Sequence, residues 1–128
     1  MFTIRSGADI VTIARFERSL AKYRERFKER VFSKVELERL LTKPATILSL
    51  AARFAAKEAF MKLIGKGLWS IPLRDISILN RSTGRPYYLL SGAAECEADL
   101  LGIVSLDLSL SHDKTMAMAF AVALVKEG

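Results

Sequence analysis

The chain contains few of the residues that build disulfides or zinc sites. Of its 128 residues, one is a cysteine, Cys96, and one is a histidine, His112. A single cysteine cannot form an intrachain disulfide, and no Cys–His spacing of a zinc site is present. A metal site in this chain would therefore use oxygen ligands, which Mg²⁺ prefers.

Long hydrophobic segments are also missing. The longest apolar run, Met116–Val125, has ten residues, about half of what a membrane-spanning helix needs. The first residues, MFTIRSGAD, contain no hydrophobic region of a signal peptide. No repeat, linker or low-complexity tract is present. We therefore expect one globular domain, residues 1–128, located in the cytoplasm.

The charge of the chain is basic and unevenly distributed. The formal net charge is +6. Residues 1–67 contain 15 Lys and Arg against 7 Asp and Glu, whereas residues 68–128 contain 5 against 7. Such a basic half indicates a surface for a polyanion, an acidic protein or a phosphorylated ligand.

The spacing of apolar and turn residues predicts the order of helices and strands. We expect strands over residues 2–13, 75–80, 86–90, 104–111 and 115–125, and helices over 13–27 (one helix or two short ones), 33–41, 46–64 and 91–101. The expected boundary signals are a capping box at Ser33 and Glu36, a helix stop at Lys43-Pro44, helix ends at Gly65 and Gly67, and a helix capped by Ser91 and stopped by Gly102.

The helix over 46–64 carries a carboxylate, Glu58, within an apolar stripe. On a helical wheel, the residues within about 60° of Glu58 are Ile47, Ala51, Phe54, Ala55, Met61 and Lys62. A buried carboxylate costs several kcal/mol unless it is paired, neutralised or bound to a metal. Glu58 is then either a helix-pair partner of Lys62, worth about 0.3–0.5 kcal/mol, or a functional carboxylate.

Asp9 is a second carboxylate in an apolar setting, between Ala8 and Ile10. Aspartate is depleted in strands. It either caps the following helix or lies within a strand that continues past it, and the apolar residues after it favour the strand.

Basic residues form a stripe beside the apolar positions of the first helix. The stripe consists of Arg15, Arg18, Lys22 and Arg26, spaced 3, 4 and 4. It is either a solvated helix face or a surface for an acidic partner. A nucleic-acid-binding module without catalysis is the alternative function, but Phe16, Tyr23 and Phe27 are expected on the apolar stripe and not among the basic residues, where bases would stack.

The carboxylates of Asp9 and Glu58 suit Mg²⁺, because no soft ligands accompany them. This ion is held by one or two carboxylates together with substrate phosphates and water. Lys62 is placed to offset charge on a phosphate. His112 either donates to a phosphate or is an ordinary turn histidine. The residues thus indicate chemistry on a pyrophosphate that depends on Mg²⁺, with the ion bound by Asp9 and Glu58.

Four segments together resemble one family over essentially the full chain. They are Gly7-Ala8-Asp9-Ile10-Val11 followed by Arg15, RFAAKEAF (53–60) followed by Lys62 and Gly65, Gly84-Arg85-Pro86, and Ser109-Leu110-Ser111-His112. The pattern is similar to that of the bacterial holo-[acyl-carrier-protein] synthases, the small 4′-phosphopantetheinyl transferases. Thr12 departs from it, since many members carry an acidic residue there, and Arg85 replaces a commoner lysine.

The resemblance implies an α+β fold with helices packed on a mainly antiparallel sheet. It implies Mg²⁺-dependent transfer of the 4′-phosphopantetheine group of coenzyme A to a serine of an apo acyl carrier protein, releasing adenosine 3′,5′-bisphosphate, in support of fatty acid biosynthesis. It also implies a homotrimer with sites between subunits. The residues themselves indicate only that Met116–Val125, apolar on both faces, is covered by the domain's own helices or by a neighbouring subunit.

The resemblance further implies roles for single residues. Asp9 and Glu58 would hold Mg²⁺, and Lys62 would stabilise or protonate the leaving bisphosphate. Glu58 or a water on the metal would take the proton of the carrier serine. The residues expected around coenzyme A are Arg53, Lys62, Gly65, Arg85, Pro86 and His112, and those expected to bind the acidic carrier are Arg15, Arg18, Lys22 and Arg26.

Overall fold

The computed structural model of the protein describes residues 1–42 and 45–128. Its elements are β1 (Phe2–Thr12), α1 (Ile13–Val31), α2 (Lys34–Thr42), α3 (Ile47–Ile64), a 3-10 turn (Leu73–Asp75), β2 (Ile76–Asn80), β3 (Pro86–Leu90), α4 (Gly92–Leu101), β4 (Ile103–His112) and β5 (Met116–Lys126). The prediction that Lys43-Pro44 ends α2 lies outside the described residues.

Two antiparallel sheets and the helices form an α+β fold, as predicted. Strand β5 lies between β1 and β4, and β2 pairs with β3 in a separate hairpin. Helix α3 packs across β1 and β5. The β5 residues that face α3 are alanines at 117, 119, 121 and 123, all buried. These small side chains let the helix lie close to the sheet.

Gly7 sets the distance between β1 and α3. A Cβ atom at this position would lie 2.1 Å from the carbonyl oxygen of Ala59 and 2.7 Å from the backbone nitrogen of Leu63. Because side chains alternate along a strand, Asp9 points to the same face as Gly7. The close approach at Gly7 therefore brings Asp9 against α3.

Helix α1 is broken at Arg24, whose φ of 43° and ψ of −121° are not helical, so the segment is two short helices. Thr12, and not Asp9, is the residue that precedes α1, which excludes a capping role for Asp9. The prediction that Tyr23 belongs to the apolar stripe is wrong, because Tyr23 is 50% exposed. The chain changes direction directly after it, and Phe27 packs inward instead.

The predicted capping box of α2, the start of α3 near Thr46 and its end at Gly65 are confirmed. The Ser33 backbone nitrogen donates to Glu36 Oε1 at 2.9 Å, and the Glu36 nitrogen donates to Ser33 Oγ at 3.2 Å. Thr46 Oγ1 accepts from the Ser49 nitrogen at 3.2 Å, and Gly65 ends α3 with a φ of 77°.

The side-chain cap predicted for Ser91 is wrong. Ser91 precedes α4 but makes no side-chain cap to it. Instead, the Ala93 nitrogen donates to Asp75 Oδ2 at 3.0 Å. An aspartate from the 3-10 turn therefore caps α4, a non-local contact that the local pattern does not contain.

The sheet has one covered and one exposed apolar face. The apolar residues that alternate along β4 are Val104, Leu106, Leu108 and Leu110. The three leucines point inward, as the alternation predicts, but an irregularity between Ile103 and Ser105 turns Val104 outward. The large apolar side chains on the uncovered face are Phe2, Ile4, Ile10, Met116, Met118, Phe120 and Leu124. The domain's own helix thus covers only one face of β5.

No helix within residues 1–42 and 45–128 is long and apolar enough to cross a membrane.

Candidate active site

Asp9 and Lys62 meet where β1 crosses the last turn of α3. The Lys62 Nζ lies 2.7 Å from Asp9 Oδ1. The Asp9 side chain is buried, while the Lys62 side chain remains 58% exposed. The interpretation of Lys62 as the helix-pair partner of Glu58 is therefore wrong, because the lysine donates its hydrogen bond to the neighbouring strand.

Glu58 lies beside Asp9 and shares its environment. Burial, a hydrogen bond with Asp9 and the Asp9 charge together raise the pKa of Glu58 to about 8, and the Lys62 charge lowers it. With both carboxylates ionised, Asp9 Oδ2 is buried and has no hydrogen-bond donor within the described part of the chain. A proton on Glu58 supplies one donor, and a bound cation would satisfy the same oxygen.

The carboxylate pair fits a divalent cation that prefers oxygen. Residues 1–42 and 45–128 contain no group of three or more His, Cys, Asp or Glu that would form an all-protein metal site. Asp9 and Glu58 would therefore supply two ligands and leave the others to phosphate oxygens and water. Mg²⁺ is usually held in this way.

A groove next to Glu58 reaches Arg15, the first residue of the basic stripe on α1. It has a volume of about 250 Å³, and Thr12, Arg15 and Phe54 line it together with Glu58. Arg15, Arg18, Lys22 and Arg26 are all exposed. The structure confirms an exposed basic stripe for the first three, whereas Arg26 follows the break at Arg24 and does not continue the same helical face.

A separate cleft of about 650 Å³ brings together most residues predicted to bind coenzyme A. Its lining includes Arg53, Gly84, Arg85, Pro86 and His112. These residues come from α3, the β2–β3 turn and the end of β4, so they are distant in sequence. The cleft combines three cationic or proton-donating side chains, which suits a phosphorylated ligand.

Two further side chains, which the sequence analysis missed, orient the arginines of this cleft. Arg53 Nη2 donates to Asn80 Oδ1 at 3.0 Å, and Asn80 Nδ2 donates to the Gly84 oxygen at 2.9 Å. Arg85 Nη2 donates to Asp107 Oδ2 at 2.5 Å. Asp107 was part of a recognisable alternating strand, but nothing in the sequence indicated its pairing with Arg85.

The structure does not bring all predicted site residues into one cleft. Asp9, Glu58 and Lys62 are not among the described residues that line the cleft containing Arg53. Arg53 and Glu58 are five residues apart on α3, which is about 140° around the helix. Gly65, predicted near coenzyme A, ends α3 beside Arg5. One chain thus carries a carboxylate half-site and a basic half-site on different faces of α3.

A buried ion pair was also missed. Lys57 Nζ lies 2.6 Å from Glu36 Oε1, and both side chains are almost fully buried. Burial lowers the pKa of Lys57, and the Glu36 charge opposes this change. Helix α3 is apolar on nearly every side, and this was the one signal in the sequence that favoured a buried Lys57.

Known proteins match this chain over most of its length. The family model described as the 4′-phosphopantetheinyl transferase superfamily matches residues 5–121. The holo-[acyl-carrier-protein] synthase of Treponema denticola is 45% identical over 117 residues, covering 91% of this chain and 94% of that protein.

Solved structures are similar over nearly the whole chain. Acyl carrier protein synthase of Plasmodium yoelii, with ADP bound, is 31% identical with a TM-score of 0.90, covering 99% of both chains. The holo-[acyl-carrier-protein] synthase of Helicobacter pylori, in complex with coenzyme A, is 34% identical with a TM-score of 0.79, covering 92% of this chain and 98% of that one.

Proposed function

Because the chain belongs to the holo-[acyl-carrier-protein] synthases of the 4′-phosphopantetheinyl transferase superfamily, we propose the following reaction for it. The 4′-phosphopantetheine group of coenzyme A moves to a serine of an apo acyl carrier protein, and adenosine 3′,5′-bisphosphate leaves. The reaction depends on Mg²⁺ and serves fatty acid biosynthesis in the cytoplasm, and residues 1–128 act as one catalytic domain. The observation that carries the proposal is the Asp9–Glu58 carboxylate pair with its unpartnered Asp9 oxygen.

Asp9 and Glu58 would hold the Mg²⁺ ion. When bound, the ion supplies positive charge that stabilises the negative charge developing on the pyrophosphate oxygens. Glu58 is also one of two candidates to accept the proton of the carrier serine, the other being a water molecule.

Lys62 is positioned to act on the leaving group. Its ammonium is anchored at Asp9 but more than half exposed, so it can reach a phosphate next to the carboxylates. A lysine in this position stabilises the departing bisphosphate by its charge or by donating a proton.

The basic cleft would bind the nucleotide end of coenzyme A. Arg53, Arg85 and His112 point cationic or donor groups into it, and phosphate oxygens accept such bonds in pairs from arginine. Pro86 and Gly84 shape its wall. Gly65, at the end of α3, would contact the part of coenzyme A that lies close to Lys62.

We propose that the complete site forms between subunits of a homotrimer. The carboxylate half-site and the basic half-site lie on different faces of α3, so one coenzyme A molecule needs half-sites from two chains. The exposed apolar sheet face, with Ile4, Ile10 and Phe120 among its side chains, supports burial against another copy. Sedimentation of the purified protein should give a trimer mass, and a stable monomer with full activity would contradict this assembly.

The carrier protein would dock on the basic stripe of α1. Arg15 lies in the same groove as Glu58, so a carrier bound to this surface would present its serine near the carboxylates. Opposite charge accelerates the encounter of such partners and fixes their orientation.

Transfer can be measured directly. The purified protein is incubated with an apo acyl carrier protein, coenzyme A and Mg²⁺, and the carrier is weighed by mass spectrometry. We expect a gain of one phosphopantetheine group, abolished by a chelator and restored by added Mg²⁺. An unmodified carrier, together with salt-dependent binding to DNA or RNA, would instead support the nucleic-acid-binding alternative.

A further inference from the structure

The buried pair of Glu36 and Lys57 has no role in the reaction proposed above. Its two side chains are 1% and 0% exposed. Burying an ion pair costs so much desolvation that replacing both partners with neutral side chains is often harmless to stability. Stability alone is therefore a weak explanation for this pair, and its hydrogen bonds indicate another.

The pair binds backbone groups of the β2–β3 hairpin and of the 3-10 turn that precedes it. Lys57 Nζ donates to the carbonyl oxygens of Leu73, at 3.1 Å, and Ile76. Glu36 Oε2 accepts from the Ile78 nitrogen at 3.0 Å. Alternate residues of a strand point their backbone groups to the same side, so Ile76 and Ile78 present the edge of β2 that faces away from β3. The ion pair thus takes the place of a neighbouring strand along this edge.

The same hairpin carries one wall of the basic cleft. Its turn contains Gly84 and Arg85, Pro86 begins β3, and Asn80 ends β2. Arg53, one helical turn before Lys57 on α3, donates to Asn80. Helix α3 therefore contacts β2 at its start through Lys57 and at its end through Arg53.

We propose that the Glu36–Lys57 pair is a positioning device for nucleotide binding. It fixes the β2–β3 hairpin at one height along α3, so that the turn with Arg85 faces Arg53 and His112 before coenzyme A binds. The inference rests on the proposed function, because it takes the basic cleft as the site of the nucleotide end.

The test replaces both partners at once with the double variant Lys57→Met and Glu36→Gln. Methionine fills similar space, and glutamine keeps oxygen and nitrogen atoms near Ser33 and Ile78. We expect a folded protein that melts above either single variant, since each single variant leaves a buried group without its partner. Its Kd for adenosine 3′,5′-bisphosphate should rise at least about tenfold, because the cleft is no longer preorganised.

Kinetics separate positioning from general damage. In the double variant the KM for coenzyme A should rise by a similar factor, while kcat at saturating coenzyme A and the KM for the carrier stay close to wild type. The matched control is Val125→Ala, which removes buried volume from β5, opposite Thr3 and Ile103. It should lower the melting temperature and leave nucleotide affinity unchanged.

Three results would overturn the proposal. They are wild-type nucleotide affinity in the folded double variant, a loss that falls on kcat alone, and an equal loss of affinity in Val125→Ala. If the double variant does not fold, amide hydrogen exchange of the wild-type protein decides. The Ile78 amide should exchange slowly without any ligand, whereas fast exchange that slows only when the bisphosphate binds would show that the nucleotide itself orders the hairpin.

The proposed function can be contradicted independently of the positioning role. A wild-type protein that binds the bisphosphate but modifies no carrier would contradict the transfer reaction, and the positioning role would still be measured by nucleotide affinity. A wild-type protein that binds no bisphosphate would contradict both.

Discussion

The ammonium of Lys62 lies 2.7 Å from Oδ1 of Asp9, although 53 positions separate the two residues in sequence. This contact joins the end of α3 to β1 and leaves Glu58 without a lysine partner of its own. The lysine is therefore part of the carboxylate site before any substrate binds.

Replacing Lys62 with alanine should reduce kcat more than it raises the KM for coenzyme A. The charge that Lys62 meets on the leaving bisphosphate develops mainly in the transition state, so its loss appears in kcat. Steady-state kinetics and thermal melting are measured on the same preparation. Stability should also fall, by about 1–3 kcal/mol, because the variant leaves the buried Asp9 carboxylate without the ammonium at Oδ1.

Lys66→Ala is the matched control for Lys62. Lys66 follows α3, is exposed and lies 4.0 Å from Glu97. In the part of the chain that the structure describes, it forms no ion pair with Asp9 or Glu58. Its variant should keep wild-type kinetics. Full activity in Lys62→Ala would mean that Lys62 only makes a structural contact with β1.

Removing either carboxylate should abolish transfer without unfolding the protein. Asp9→Ala and Glu58→Ala each remove one anionic oxygen ligand, and Glu58→Gln removes the charge while keeping the shape. Mg²⁺ binding, measured by calorimetry, should be lost in parallel with activity. Near-normal Mg²⁺-dependent turnover in any of the three variants would contradict the metal site.

The stability of the metal-free protein should fall as the pH rises from about 4.5 to about 8. The pKa of Glu58 is 4.5 in the unfolded chain and about 8 in the fold, so the native state holds more protons across this range. Stability present below pH 4.5 is therefore lost progressively up to about pH 8 and then levels off. Thermal melting with a chelator measures this loss, and Glu58→Gln should flatten the curve.

The affinity for Mg²⁺ should rise with pH, whereas the stability of the metal-free protein falls. Below about pH 8 the ion must displace the proton held by Glu58, so affinity rises with pH and levels off above this value. Calorimetric titrations at several pH values, in buffers of different ionisation enthalpy, count the released protons. An affinity independent of pH between 6 and 8 would mean that Glu58 is already ionised in the free protein.

Substituting Gly7 with alanine should destabilise the fold strongly. The new Cβ would lie 2.1 Å from the Ala59 oxygen, and such overpacking typically costs about 1–3 kcal/mol or more. Gly67→Ala is the control, because a Cβ there has nothing within 4 Å. Denaturant unfolding of both variants checks the difference. Equal stability would mean that β1 can move away from α3 without cost.

Local features of the fold could be predicted from the sequence. The capping box at Ser33 and the glycine end of α3 are each formed by neighbouring residues, so their chemistry is visible in a short window. Asp9 and Glu58 were recognisable because a carboxylate among apolar residues is costly wherever it lies.

Contacts between distant segments could not be predicted in the same way. The partner of Lys62 depends on where β1 crosses α3, and the partner of Lys57 depends on α2 packing against it. The exposure of Tyr23 follows from a break at Arg24, an arginine that carries no helix-breaking signal. The separation of the half-sites around α3 follows from the helical period once Arg53 and Glu58 are assigned to one helix.

The basic stripe of α1 separates a carrier-modifying enzyme from a nucleic-acid binder. Reversing Arg15 and Lys22 to glutamate should raise the KM for the carrier and leave the KM for coenzyme A unchanged, because both residues are exposed and the core is not altered. The wild-type KM for the carrier should rise with salt, since exposed charges are screened over about 8–10 Å at physiological ionic strength.

A nucleic-acid-binding protein would give different results in these measurements. A nucleic-acid binder would lose a steeply salt-dependent affinity for DNA or RNA in the same double variant and would never modify the carrier. Tyr23 makes this comparison necessary, because it is exposed and Lys22 Nζ lies 5.3 Å from its ring centre, so an aromatic side chain does stand among the basic residues. If the double variant modifies the carrier as efficiently as wild type at low salt, the stripe is only a solvated helix face. The carrier would then dock elsewhere, and the groove lined by Tyr23, Phe27 and Trp69 would be the next surface to mutate.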